Sequence, residues 1–130
     1  MVKHLLAVCL VVVAGCAAIS EMTIEDKFEK TARAYRQALQ WGDWVAAGKF
    51  LGSDGQSADP GTIEALKQIK VTSYEVNDMV PSEDKMHVQQ VVEIQYFLKN
   101  RMIEKTLIDN QRWAYKEDVG WRLISGLPKF

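Results

Sequence analysis

The sequence predicts an α+β domain in which N-terminal helices pack on a curved antiparallel sheet of about four strands. Three observations carry that expectation. Apolar residues recur at helical spacing in the first half of the chain, at Ile24, Phe28, Ala32, Tyr35 and Leu39. From Lys85 to Gly126 the chain turns to long runs rich in β-branched and aromatic residues, broken by short polar stretches and free of proline. Helices therefore precede strands that neighbour one another in sequence, and such segregation marks an α+β layer rather than a parallel α/β sheet.

The amino terminus stands apart from this domain. Lys3 and His4 precede an unbroken apolar run, Leu5 to Val13, too short to span a bilayer and suited to the hydrophobic part of a secretory signal. Val13-Ala14-Gly15-Cys16 follows. This order resembles the lipobox of bacterial lipoproteins, in which an aliphatic residue and two small ones precede a cysteine that is lipidated and becomes the new first residue. The resemblance implies a signal over residues 1–15, lipidation at Cys16, a tether over 16–22 and a domain over 23–130. An ordinary secretory signal cleaved beside the same small residues is the alternative. Several acyl chains anchor a protein stably without spanning the membrane. The implied address is the cell envelope, and in a Gram-negative cell Ala17 fits the outer membrane, facing the periplasm.

Removing residues 1–15 takes one lysine and no acid from 16 basic and 17 acidic residues, leaving 15 against 17. A slightly acidic domain is not built for nucleic acid. Cys9 leaves with the signal and Cys16 carries lipid, so the expected domain has neither free thiol nor disulfide.

Thr23 is a helix cap, with Glu25 and Asp26 in the first turn where acids favour the positive helix end. Ile24, Phe28, Ala32, Tyr35, Ala38 and Leu39 form the stripe for burial, while Glu29, Lys30, Arg33, Arg36 and Gln37 occupy the other side. Gly42 stops this helix and Asp43 caps the next, whose narrow apolar edge is Trp44, Ala47, Gly48 and Leu51. Gly52 to Asp59 reads as a loop. Asp59-Pro60 then opens a short third helix that buries Ile63 and Leu66. Ile69 to Val80 is the first strand, ended by the turn chemistry of Pro81-Ser82-Glu83-Asp84.

A two-residue turn at Lys99-Asn100 sets an expected register for the central hairpin. One face then pairs Leu98 with Arg101, Tyr96 with Ile103, Ile94 with Lys105, Val92 with Leu107, Gln90 with Asp109, Val88 with Gln111 and Met86 with Trp113. The other pairs Phe97 with Met102, Gln95 with Glu104, Glu93 with Thr106, Val91 with Ile108, Gln89 with Asn110 and His87 with Arg112. The first face is largely apolar and wants a core, whereas the second can meet water.

Ala34-Tyr35-Arg36-Gln37-Ala38-Leu39-Gln40-Trp41-Gly42-Asp43-Trp44, a helix breaking at Gly-Asp before an aromatic, resembles the opening of the nuclear transport factor 2-like superfamily. Gln111-Arg112-Trp113-Ala114-Tyr115, followed by Gly120-Trp121-Arg122-Leu123, resembles its last hairpin. The resemblance spans about residues 23–126 and implies a sheet curved into a cone around a pocket. It assigns no activity, because isomerases, dehydratases, transport adaptors and proteins without assigned chemistry share the fold. Gly52 to Asp59 is too short for the extra hairpin that larger members carry.

Gln90, Asp109 and Gln111 interrupt the apolar face together. A carboxylate among apolar walls gains a raised pKa and the capacity of a general base, as in related cone-shaped isomerases. The competing reading leaves these three wet at a rim where the sheet outruns its helical cover, and that reading is the weightier. Tyr35, Tyr74, Tyr96 and Trp113 are candidates to line an apolar pocket, although aromatics on core faces more often simply pack. Val91, Phe97, Met102 and Ile108 form an apolar stripe on the outer face, a candidate surface for a homodimer. His87 is expected at the surface. No cluster of metal ligands, Gly-rich phosphate loop or nucleophile elbow occurs, so neither metal nor cofactor is expected. The expected function is a non-enzymatic envelope lipoprotein that binds a partner protein or a small apolar ligand. The alternatives are a small isomerase or lyase using Asp109, and a structural subunit of an envelope complex.

Overall fold

The computed structural model describes residues 22–52 and 58–130. The signal, Cys16, the tether up to residue 21 and most of the loop expected at 52–59 lie outside the described residues. Three helices come first: α1 (Ile24–Trp41), α2 (Trp44–Gly48) and α3 (Pro60–Leu66). Four strands follow: β1 (Ile69–Pro81), β2 (His87–Leu98), β3 (Glu104–Lys116) and β4 (Gly120–Leu123). They form an antiparallel sheet in the order β1-β2-β3-β4, with the helices on one face.

Local chemistry explains where the helices begin and end. Thr23 and Asp26 satisfy each other's main-chain N–H groups in a capping box at the start of α1. Gly42 closes α1 in the left-handed region, at φ 70°. The carboxylates of Asp43 and Asp59 accept main-chain hydrogen bonds at the starts of α2 and α3. The expected apolar edge of the second helix does not continue to Leu51, because α2 ends at Gly48. Residues 50–52 instead turn onto β4, where Leu51 bridges Leu123 in parallel and Leu123 N–H donates to the Phe50 carbonyl. That contact covers one edge of the shortest strand.

The register of the central hairpin differs from expectation by two residues. Phe97 pairs with Glu104, Tyr96 with Lys105, Val92 with Asp109, Gln90 with Gln111, Val88 with Trp113 and His87 with Ala114. Lys99-Asn100 is not a complete turn. The chain needs residues as far as Met102, which takes φ 53° while its N–H and that of Arg101 both donate to the Leu98 carbonyl. Because the slip is even, every side chain keeps its expected face. Two β-bulges in β1, at Thr72 and Asn77, bend that strand and keep Ile69, Val71, Tyr74, Val76 and Met79 on the face toward the helices. Pro81 is tolerated because it ends an edge strand.

The core lies between α1 and the sheet. Tyr35, Leu39, Trp44, Val92, Ile94, Trp113 and Leu123 are all but inaccessible to solvent. Full burial of such a side chain contributes about 1.5–3 kcal/mol, so this layer supplies the main force holding the helices down. Edge-to-face contacts order it: Tyr35 meets Trp113 and Phe50, and Phe28 meets Trp113 and Trp121. Trp121 Nε1 also donates to the Ile24 carbonyl at 2.9 Å, tying β4 to the start of α1.

Candidate functional site

Strand β3 carries a polar triplet through the apolar interior. Its alternation sends Asp109, Gln111 and Trp113 toward α1. Gln111, only 1% exposed, is the centre of the network. Its Oε1 accepts from Trp113 Nε1 at 3.1 Å, while its Nε2 donates to Tyr74 Oη and Asp109 Oδ2, each at 3.0 Å. An amide suits this place because it can accept from a donor-only indole and donate to two oxygens at once. Tyr35 Oη lies fully buried and has no hydrogen-bond partner among the described residues.

Electrostatics follow from this burial. Asp109 is half-buried, and loss of water raises its carboxyl pKa, opposed by the hydrogen bond from Gln111. Burial pushes Tyr74 up to about 12, with Gln111 and Arg36 pulling the other way. Tyr35 is driven well above its usual value by burial, then by the nearby charges of Asp109 and Tyr74. Both phenols therefore remain protonated across the physiological range.

The expectation of a wet rim fails for Gln90 and Gln111, which are buried against the helices; Asp109 alone of the three is half-exposed. The structure joins Tyr74, Asp109, Gln111 and Trp113 in one network, with Tyr35 packed against Trp113. Tyr96 sits elsewhere, under Phe130 at a ring separation of 4.7 Å. His87 is exposed as expected, but it pairs with Ala114 rather than Arg112. The outer-face stripe loses its pairs. Val91 opposes Asn110, Phe97 opposes Glu104, Ile108 opposes Glu93, and Met102 stands in the turn.

Three openings bear on function. The largest, about 660 Å³, is a groove between α3 and the C-terminal segment, walled by Leu51, Ala58, Leu66, Ile69, Leu98 and Leu127 and reaching Phe130. Phe130 stacks edge-on against both Trp44 and Tyr96, so the final residues form one wall of this groove. Sequence reasoning missed that wall because 124–130 has no periodic pattern. A cleft of about 370 Å³ separates α1 from β1 and β2, and it includes Tyr74 and Gln90. The third, about 230 Å³, places Asp109 beside Ser125 and Lys129. Among the described residues there is no group of three or more metal-ligating side chains, and no helix is long and apolar enough to cross a membrane.

No family model matches the chain, and no curated protein matches it. Among solved structures it is similar to the crystal structure of a protein described as a candidate Ca/calmodulin-dependent kinase II association domain, from Exiguobacterium sibiricum 255-15. The two share 17% identity at a TM-score of 0.59, over 82% of this chain and 92% of that one. At that identity the likeness speaks for the fold alone: helices on an open four-stranded antiparallel sheet, a nuclear transport factor 2-like α+β cone.

Proposed function

We propose that this chain is a lipid-anchored envelope protein whose domain binds a small apolar ligand, or an apolar segment of a partner protein, without catalysing a reaction. The groove between α3 and the C-terminal segment is the observation that carries the reading. Its volume of about 660 Å³ and its aliphatic and aromatic walls match the usual character of small-molecule sites. The deepest part of the cone supports the same reading from the other side. Tyr35, Trp113 and Gln111 are packed there with almost no solvent access, leaving their polar atoms beyond a substrate's reach. Val13-Ala14-Gly15-Cys16 supports the anchor.

The binding half is tested with Leu66→Arg, which puts a charge into the groove wall. Native mass spectrometry is expected to find an apolar adduct on the wild-type protein that this variant lacks at unchanged circular dichroism. An adduct retained by the variant would sink the assignment.

One observation favours a second reading, in which Asp109 is the general base of a small isomerase or lyase. Its carboxyl is shifted upward by burial, its Oδ2 is fixed by Gln111, and the residue borders an open cleft. A turnover abolished by Asp109→Asn with folding intact would favour this reading over binding.

A further inference from the structure

The cleft between α1 and the β1–β2 hairpin holds an unused set of polar groups that the apolar groove does not share. Its floor is Gln90, a polar residue only 4% exposed that lines the opening. Arg33 and Arg36 stand above it on successive turns of α1, and neither is in the ion pairs found among the described residues. The Arg36 guanidinium is already placed, lying over the Tyr74 ring at 5.6 Å from its centre. The remaining walls are Phe28, Ala32, Val76 and Met79, with Val76 and Met79 half-exposed at 45% and 51%. Glu29 is the one acid at the rim, so the lining carries two positive charges against one negative.

From this juxtaposition we infer that the cleft is a binding site for a short aliphatic carboxylate. The planar, forked donors of Arg33 and Arg36 match the two oxygens of a carboxylate. The Gln90 amide on the floor of the cleft can donate to the same carboxylate, and Phe28, Val76 and Met79 cover the aliphatic tail. The volume of about 370 Å³ lies at the small end of ligand sites, which favours a tail of a few carbons over a membrane lipid. The site is separate from the groove of the proposed function and stands whether or not that groove is occupied.

The test uses the full chain as it matures in its own membrane, purified into nanodiscs of zwitterionic lipid and titrated with 13C-labelled hexanoate by NMR, with empty nanodiscs as the blank. Saturable binding is expected, weakened at least tenfold in the Arg33→Gln/Arg36→Gln double variant and weakened in Gln90→Leu. Hexanol is expected to bind at least tenfold more weakly than hexanoate, and acetate not to saturate. Leu66→Arg, which alters the other groove, is expected to leave hexanoate binding unchanged. Absence of saturable hexanoate binding, equal binding of hexanol, or indifference to the double variant would each overturn the inference. Loss of hexanoate binding in Leu66→Arg alone would place the ligand in the larger groove and overturn it too.

Discussion

Gln111 shows how one residue decides the character of an interior. Three neighbours depend on its amide: Trp113 Nε1 as donor, and Tyr74 Oη and Asp109 Oδ2 as acceptors. Gln111→Ala leaves an indole N–H orphaned and opens a cavity, for an expected loss of about 3 kcal/mol in urea unfolding. Tyr74→Phe removes one bond only and is expected to cost about 1 kcal/mol. Equal losses would mean the network has no centre. Asp109 adds a pH dependence with a definite sign. Its carboxyl is raised in the folded protein, so its contribution to stability is complete below the unfolded value of about 4 and is lost as pH rises through the folded value. Asp109→Asn cannot ionise, so stability of the variant relative to wild type is expected to grow with rising pH over that window. A difference that stays flat, or shrinks, would show that burial does not penalise this charge. The sequence made Asp109 and Gln111 visible as polar breaks in an apolar face. It did not reveal that Gln111 is fully covered, because that depends on how far α1 reaches along the sheet.

At the scale of elements, whatever rested on local chemistry was readable. Thr23, Gly42, Asp43 and Asp59-Pro60 mark helix ends through side-chain and φ requirements confined to a few residues. The hairpin register was not readable to better than its parity. Lys99-Asn100 satisfies the pattern of a tight turn, yet the chain continues to a left-handed Met102, a conformation that methionine does not advertise. Arg33 and Arg36 stay on the exposed side of α1, where helical spacing places them, and the contact of Arg36 with the Tyr74 ring was not readable because it depends on how β1 lies against the helix. The observed register makes its own prediction on the outer face of the sheet. Glu75 of β1 is directly opposite Glu93 of β2. Like charges at such a position are destabilising, and an opposite pair contributes roughly 0.2–1 kcal/mol. Glu75→Lys is expected to raise the unfolding midpoint, more at low salt than at high salt. An unchanged or lower midpoint at low salt would contradict that pairing.

The whole molecule joins two parts with different legibility. The fold followed from the order of periodicities, helical and then strand-like, and the structure has that architecture with its apolar sheet face against the helices. The walls of the openings did not follow, since the groove depends on the irregular segment 124–130 folding back until Phe130 reaches Trp44 and Tyr96. The address rests on the order of a few residues ending at Cys16, and the binding role on apolar walls contributed by distant parts of the chain. Native mass spectrometry of the protein released from its own membrane tests both together. The account predicts a polypeptide beginning at Cys16, heavier by its acyl chains and accompanied by an apolar adduct. A chain that still begins at Met1, with an unmodified thiol at Cys16 and no adduct, would contradict it.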